Sequence, residues 1–150
     1  MQERVRPMEL ASWIVGVWRL TKFISEETET KEISTPFGEE PSGHMVFTAG
    51  GHVMALGVGS GRRPLSASHP TDAERAELFK TLFAYSGRYR IEGETIVHDV
   101  EASWNEGWTG TAQVRMAKVD GNTLAVRTAP FRSPQTGQEV VATAYWERVE

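Results

Sequence analysis

The stretch "HMVFTAGGHVMALGV", residues 44–58, decides how this chain folds. Two runs rich in apolar side chains flank a cluster of small residues, which is the pattern of a β-hairpin. We place a two-residue turn at Ala49-Gly50, after which side chains alternate between the two faces of the paired strands. The bulkier and more apolar face, which we expect to lie inside, carries Met45, Phe47, His52, Met54 and Leu56.

Further strand-like segments recur at short spacing along the rest of the chain, bounded by glycine, proline and asparagine. About eight strands at this spacing predict an all-β fold, either an antiparallel up-and-down barrel or a sandwich. The other segments are "GVWRLTKFIS", "YSGRYRI", "TIVHDVEAS", "TAQVRMAK", "TLAVRT" and "VVATAYWERV".

One short helix interrupts the strands, and we expect it over residues 71–84. Thr71 followed by Glu74 is the pattern of a capping box, in which each residue bonds the backbone of the other. This helix either packs against the strands or acts as a mobile lid. Its apolar stripe at helical spacing consists of Leu78, Phe79, Leu82 and Phe83.

Composition excludes several classes of function. The 150 residues predict one domain, 1–150, and the net charge of -4 without a basic run argues against nucleic-acid binding. The chain has no cysteine, which excludes disulfides and thiolate metal sites. It also has neither a signal-peptide pattern nor the ~20 consecutive apolar residues that span a bilayer. We therefore expect a cytoplasmic protein with no membrane partner and no nucleic-acid partner.

A second stretch, "HDVEASWNEGW" at residues 98–108, concentrates polar and aromatic groups. His98 and Glu101 point to opposite faces of a strand, so a three-ligand metal site is geometrically poor and none is predicted. The residues on the same face as His98 are apolar, which indicates that this face points into the barrel. The expected inner face carries His98, Val100 and Ala102, and the outer face carries Asp99 and Glu101.

The strand after this stretch has two open registers. In one, His98 lies opposite Arg115, and Gln113 joins them on the inner wall. A one-residue slip would instead leave Arg115 in water. A buried arginine must be paired or reach a ligand anion or carbonyl, because an unpaired buried charge costs several kcal/mol. Trp104 and Trp108, in the connecting loop, either stack on a ligand or plug the end of the barrel.

Taken in order, five blocks of the sequence resemble the lipocalin-like domain family of bacteria and fungi. The resemblance covers nearly the whole chain and implies a small closed antiparallel barrel with an internal cavity. It also implies a link to secondary metabolism, where some such barrels act as cyclases or isomerases. The blocks are "GVWRL", "PFGEEPSGHMVFTAGGHVMA", "LFAYSGRYRI", "VHDVEASWNEGWTGTAQVR" and "YWERV". The family's recurrent polar positions fall on His52, Tyr85, Tyr89, His98, Gln113 and Arg115.

Two functions from different classes are compatible with this sequence. The first is a protein that binds a small hydrophobic or aromatic molecule, as a monomer or homodimer. The second is a cyclase or isomerase of a polyketide-like intermediate, with His98 as acid/base, Arg115 stabilising an oxyanion and Tyr85 donating a hydrogen bond. Neither needs a cofactor, and no nucleotide-binding glycine motif occurs. The predicted ligand-binding residues are Met45, Phe47, His52, Met54, Tyr89, Trp108, Gln113 and Trp146.

Overall fold

The computed structural model describes residues 7–133 and 136–150 of the chain. Its helices are α1 (Pro7–Trp13), α2 (Asp72–Lys80) and one 3-10 turn (Glu106–Trp108). Its strands are β1 (Gly16–Glu27), β2 (Ile33–Ser34), β3 (Ser42–Phe47), β4 (His52–Val58), β5 (Leu82–Glu92), β6 (Thr95–Ser103), β7 (Ala112–Asp120), β8 (Thr123–Thr128), β9 (Phe131–Arg132) and β10 (Glu139–Arg148).

Eight of these strands form one closed antiparallel barrel. They are hydrogen-bonded in the order β1, β3, β4, β5, β6, β7, β8, β10, and β10 pairs back onto β1. The short strands β2 and β9 extend the pairing of β1 and β10. This closure confirms the predicted all-β up-and-down barrel, because a sandwich would leave sheet edges unpaired. The structure adds α1, which the sequence pattern did not indicate.

One end of the barrel is solid. The turns after β3, β5 and β7 meet the beginning of β1 at this end, where Leu10 and Ile14, from α1 and the residues that follow it, enter the core. Burying each large apolar side chain contributes about 1.5–3 kcal/mol relative to its exposure. The core of this half includes Leu10, Ile14, Trp18, Leu20, Phe47, Val53, Ile96 and Leu124.

The β3–β4 hairpin has its predicted strands but a longer turn. The Thr48 amide donates to the His52 carbonyl (3.0 Å), and Thr48 Oγ1 accepts from the His52 amide (3.0 Å). Gly51 takes a positive φ of 89°, which includes it in the turn and shifts the pairing by one residue. The shift turns the second strand over, so the predicted inward orientation of His52 and Met54 is wrong. Met45 and Phe47 lie inside as expected, whereas His52, Met54 and Leu56 lie outside.

A β-bulge in β6 changes which residues face inward. Gly87 pairs with Val100 and the preceding residue of β5 pairs with Ala102, so Glu101 is an extra residue. A Cβ at Gly87 would lie 2.0 Å from a backbone oxygen of β6, and only glycine allows this approach. His98 and Val100 face inward as predicted, but Ala102 is exposed, because the bulge breaks the alternation.

The helix α2 begins as predicted and ends early. Thr71 Oγ1 accepts from the Glu74 amide (3.1 Å), and the Glu74 carboxylate accepts from the Thr71 amide (2.8 Å). The helix ends at Lys80, so the predicted apolar stripe is divided, with Leu82 and Phe83 beginning β5. None of its residues is buried, so α2 contributes little to the core.

Candidate functional site

The other end of the barrel contains a cavity of about 130 Å³. It lies among the end of β1, the end of β8, the beginning of β10 and the β6–β7 loop, opposite the solid end. Among the described residues, no Asp or Glu contributes to its wall. The apolar part of the wall is formed chiefly by Phe23, Phe37, Met45, Phe83, Val126 and Trp146.

Arg115 is the buried charge of this cavity. In the pairing of β7 with β6, Gln113 lies opposite His98, whereas the first predicted register placed Arg115 there. The two registers differ by two residues, and a two-residue shift leaves each side chain on the same face of the strand. Arg115 is therefore only 7% exposed, whereas Val114 is 43% and Met116 56% exposed. The one-residue slip is thereby excluded.

Within the described part of the chain, Arg115 has no ion pair. Its Nη1 donates to the carbonyl oxygen of Val114 (3.1 Å), and its guanidinium lies 5.5 Å from the ring centroid of Trp108. Burial lowers the pKa of Arg115, because desolvation disfavours the cation, and nearby Tyr85 acts in the opposite direction. One bond to a neutral acceptor and one cation–π contact compensate only part of the lost hydration.

Tyr85 and His98 form a hydrogen-bonded pair, with 2.8 Å between Tyr85 Oη and His98 Nδ1. Tyr85 lines the cavity, whereas His98 does not and lies deeper, edge-on against Phe47. Burial lowers the pKa of His98 to about 3, and the charge of Arg115 adds to this effect, so the imidazole is neutral near pH 7. Burial raises the pKa of Tyr85, with Arg115 opposing the rise, so the phenol keeps its proton.

Three tryptophans bring indole rings to the same cavity. Trp104 and Trp108 meet edge to face with ring centroids 5.0 Å apart, and Trp146 lines the cavity from β10. The Nε1 atoms of Trp104 and Trp146 are buried without a hydrogen-bond partner among the described residues. A buried donor left unpaired costs about 1–3 kcal/mol, which a ligand acceptor would recover.

The predicted site residues divide into three groups. Those on the cavity wall are Met45, Tyr85, Trp108, Arg115 and Trp146. Those that face the barrel interior or its end without lining the cavity are Phe47, Tyr89, His98 and Gln113. Tyr89 donates to the Thr48 carbonyl (2.7 Å), and Gln113 donates to Thr111 Oγ1 (2.7 Å). His52 and Met54 face away from the cavity on the outer surface.

Sequence reasoning missed much of the apolar wall. Phe37 belongs to an irregular acidic loop, and Phe131 follows β8 in a turn-rich crossing, so neither has a periodic pattern. The sequence pattern assigns Phe83 to the apolar stripe of the predicted helix, so it is not expected in the wall of the barrel. Phe23 and Ser25 lie beyond an irregularity in β1, where the alternation that begins at Trp18 is interrupted.

A closed antiparallel barrel of eight strands with an apolar cavity at one end defines the class of this protein by its fold. Within that class, the chain belongs to the lipocalin-like domain family, whose model matches residues 15–149. In the described residues, no cluster of three or more metal-ligating side chains occurs, and no helix is long and apolar enough to cross a bilayer.

The proteins similar to this chain include a fungal carrier protein and a fluorescent protein. A 4'-hydroxy-3'-methoxypropiophenone carrier protein of Aspergillus oryzae is 35% identical over 66 residues, which span 39% of this chain and 60% of that protein. The match therefore covers less than two thirds of the relative's length. A crystal structure of a variant of the fluorescent protein UnaG is similar at a TM-score of 0.41 and 13% identity, covering 92% of this chain and 97% of that one.

Proposed function

We propose that this protein binds one small aromatic molecule inside its barrel and acts as a carrier for it. The observation that carries the proposal is an apolar cavity whose wall includes Trp104 and Trp146, two tryptophans whose buried N–H donors have no partner among the described residues. Its volume of about 130 Å³ is close to the ~150 Å³ of an apolar protein cavity that takes up benzene. The ligand is therefore a compound with a single ring and short substituents.

The polar groups of the wall define what those substituents carry. Hydrogen-bond donors are carried by Arg115, Tyr85, Trp104 and Trp146, which all line the cavity. Ligand sites commonly combine a mostly apolar wall with a few convergent polar groups that orient the ligand. The favoured ligand is consequently an aromatic compound that bears at least one oxygen acceptor, such as an aryl ketone.

The curated relative supports this ligand class. Its name describes a carrier of a compound with one benzene ring, a ketone and a hydroxyl group. Because the similarity extends over only 60% of that protein, it supports the kind of molecule and not the particular compound.

A cavity-filling substitution tests the proposal. We expect acetophenone to quench the fluorescence of the cavity tryptophans saturably, and Ala142→Leu to weaken this binding about tenfold or more, because the new side chain occupies the ligand's space. Ala102→Leu, on the exposed side of β6, is the matched control and keeps wild-type affinity. Equal affinities for both variants would place the ligand elsewhere and contradict the proposal.

The second candidate, a cofactor-independent cyclase or isomerase, is favoured by the 2.8 Å contact between Tyr85 and His98. It needs a group that exchanges protons with the ligand, yet His98 is separated from the cavity by Tyr85. Acetophenone incubated with the protein in D₂O distinguishes the two. A carrier leaves the rate of methyl deuteration at the buffer value, whereas an enolising enzyme accelerates it.

A further inference from the structure

We propose that the cavity holds its ligand as an anion, a one-ring phenolate or carboxylate whose charged oxygen accepts hydrogen bonds from the Arg115 guanidinium. This inference rests on the proposed function and narrows its ligand class. The starting point is that the charge of Arg115 is buried at 7% exposure without a carboxylate partner in the described part of the chain. Breaking or omitting one partner of a buried ion pair is strongly unfavourable, so the site is complete only when an anion supplies the second charge.

Among the described residues, neither an ion pair nor a carboxylate of the cavity wall supplies a negative charge to Arg115. The titratable side chains that face it, Tyr85 and His98, are both neutral at pH 7, because burial raises the pKa of the phenol and lowers that of the imidazole. The two carboxylates of β6 are not its partners, because Asp99 lies on the outer face, where it pairs with Arg90, and Glu101 is exposed. The cation–π contact with Trp108 compensates only part of the cost of burying this cation.

The other charged residue that lines the cavity in the described part of the chain is also an arginine. Arg132 also lines the cavity, is exposed, and adds a second positive charge near the opening. Both charged side chains of the described cavity wall are therefore positive, in a protein whose net charge is -4. Such local fields concentrate ligands of opposite sign, even when the whole molecule carries the other sign.

A pair of nearly isosteric probes separates this inference from the proposed function. 4-Nitrophenol has a phenolate with its own visible absorption, whereas nitrobenzene has no ionisable group. At the pH where free 4-nitrophenol is half ionised, we expect added protein to increase the phenolate absorption, with the released proton passing to the buffer. We also expect 4-nitrophenol to bind about 10- to 100-fold more tightly than nitrobenzene, since hydrogen bonds to charged groups exceed neutral ones.

Each outcome has a distinct meaning. Binding of both probes with 4-nitrophenol held as the neutral phenol would overturn the anion inference and leave the proposed function intact. If neither probe binds, the proposed function and the inference are both overturned. An increase in phenolate absorption that is lost in the Ala142→Leu variant supports both.

Two arginine variants assign the effect to one side chain. Arg115→Met should abolish the increase in phenolate absorption while still binding nitrobenzene, because the apolar wall is retained. Replacing a buried, incompletely paired ion by an apolar residue is often neutral or stabilising, and the thermal midpoint of the variant verifies its folding. Arg127→Met removes an exposed arginine from the neighbouring strand β8 and should behave as wild type. A phenolate signal that persists in Arg115→Met would overturn the assignment.

Discussion

The contact between Tyr85 and His98 connects the solid half of the barrel to its cavity. His98 Nδ1 either accepts the tyrosine hydrogen or donates its own to the tyrosine oxygen, and its Nε2 has no partner among the described residues. Unpaired buried N–H donors are rarer in proteins than unpaired acceptors. This favours the tautomer in which Nδ1 carries the hydrogen and Nε2 is bare. Tyr85 is then free to donate its own hydrogen toward the cavity.

The buried imidazole also makes folding depend on pH. The pKa of His98 is lowered from its ordinary value of 6.5 to about 3 in the folded chain, so the unfolded chain binds the proton first as the pH falls. The stability that depends on a neutral His98 is therefore fully present above about pH 6.5 and is lost as the pH falls toward 3. The expected slope from this group is at most about 1.4 kcal/mol per pH unit.

Comparison of variants isolates this contribution from the carboxylates that titrate in the same range. His98→Gln carries no titrating group, so we expect its free energy of unfolding, measured by urea denaturation between pH 4 and 7, to vary less steeply with pH. A free energy of unfolding that depends on pH as steeply in His98→Gln as in the wild type would contradict this prediction. His52→Gln, which changes an exposed histidine of β4, should retain the wild-type slope.

At the scale of the strands, Gly57 in β4 shapes the cavity through its partner in β5. It pairs directly with Phe83, whose ring lies over the glycine, so that a Cβ at residue 57 would be 2.2 Å from Phe83 Cε1. Phe83 lines the cavity and packs against Phe37 and Trp146. Because Gly57 has no Cβ, the ring of Phe83 can lie against the backbone of β4 and form part of the aromatic cavity wall.

We expect Gly57→Ala to displace the Phe83 ring into the cavity. Overpacking of this kind costs about 1–3 kcal/mol of stability, and the displaced ring should reduce acetophenone affinity about tenfold or more. Gly50→Ala is the matched control, because its Cβ would meet no atom closer than 3.9 Å and its φ is not positive. Unchanged acetophenone affinity in Gly57→Ala would show that the ring does not bound the ligand site.

The same scale explains which parts of the site were predictable. Alternation along uninterrupted strands correctly placed Met45, Phe47 and His98 inside the barrel. It failed wherever one backbone irregularity intervened: Gly51 lengthened the hairpin turn and reversed β4, and the extra residue Glu101 turned the end of β6. The alternation of apolar and polar residues in the sequence does not reveal such a shift. The shift depends on hydrogen bonds between paired strands, which the sequence of one strand does not determine.

Over the whole molecule, the solid core and the candidate ligand cavity lie at opposite ends of one barrel. The apolar strand segments and their turns predicted the closed barrel, whereas the irregular loops that complete the cavity have no pattern that local sequence can reveal. The interior polar groups, Arg115 and the Tyr85–His98 pair, lie between the two ends. Substitutions at the solid end should therefore change folding and leave the affinity of the folded protein unchanged.

Arg148 provides the test of this division, because it joins the two ends of the described chain where the barrel closes. Its guanidinium donates to the carbonyl oxygens of Trp13 and Val15 (3.1 Å to Val15) and lies over the rings of Trp13 and Trp18, 4.8 and 4.3 Å from their centroids. Its backbone pairs with Trp18 in the β1–β10 closure. The side chain thus holds α1, β1 and β10 together through charge-assisted hydrogen bonds and cation–π contacts.

We expect Arg148→Met to lower the free energy of unfolding by about 2–4 kcal/mol, from the sum of these two kinds of contact. Arg19→Met is the matched control in the same β1–β10 seam. It removes only an ion pair with Glu147 in which both side chains are 54% exposed, and such surface pairs contribute about 0–1 kcal/mol. Urea denaturation measures both costs, and equal losses would contradict the role given to Arg148. At temperatures where the Arg148→Met chain is still folded, its acetophenone affinity should equal that of the wild type, because no part of the closing cluster lines the cavity.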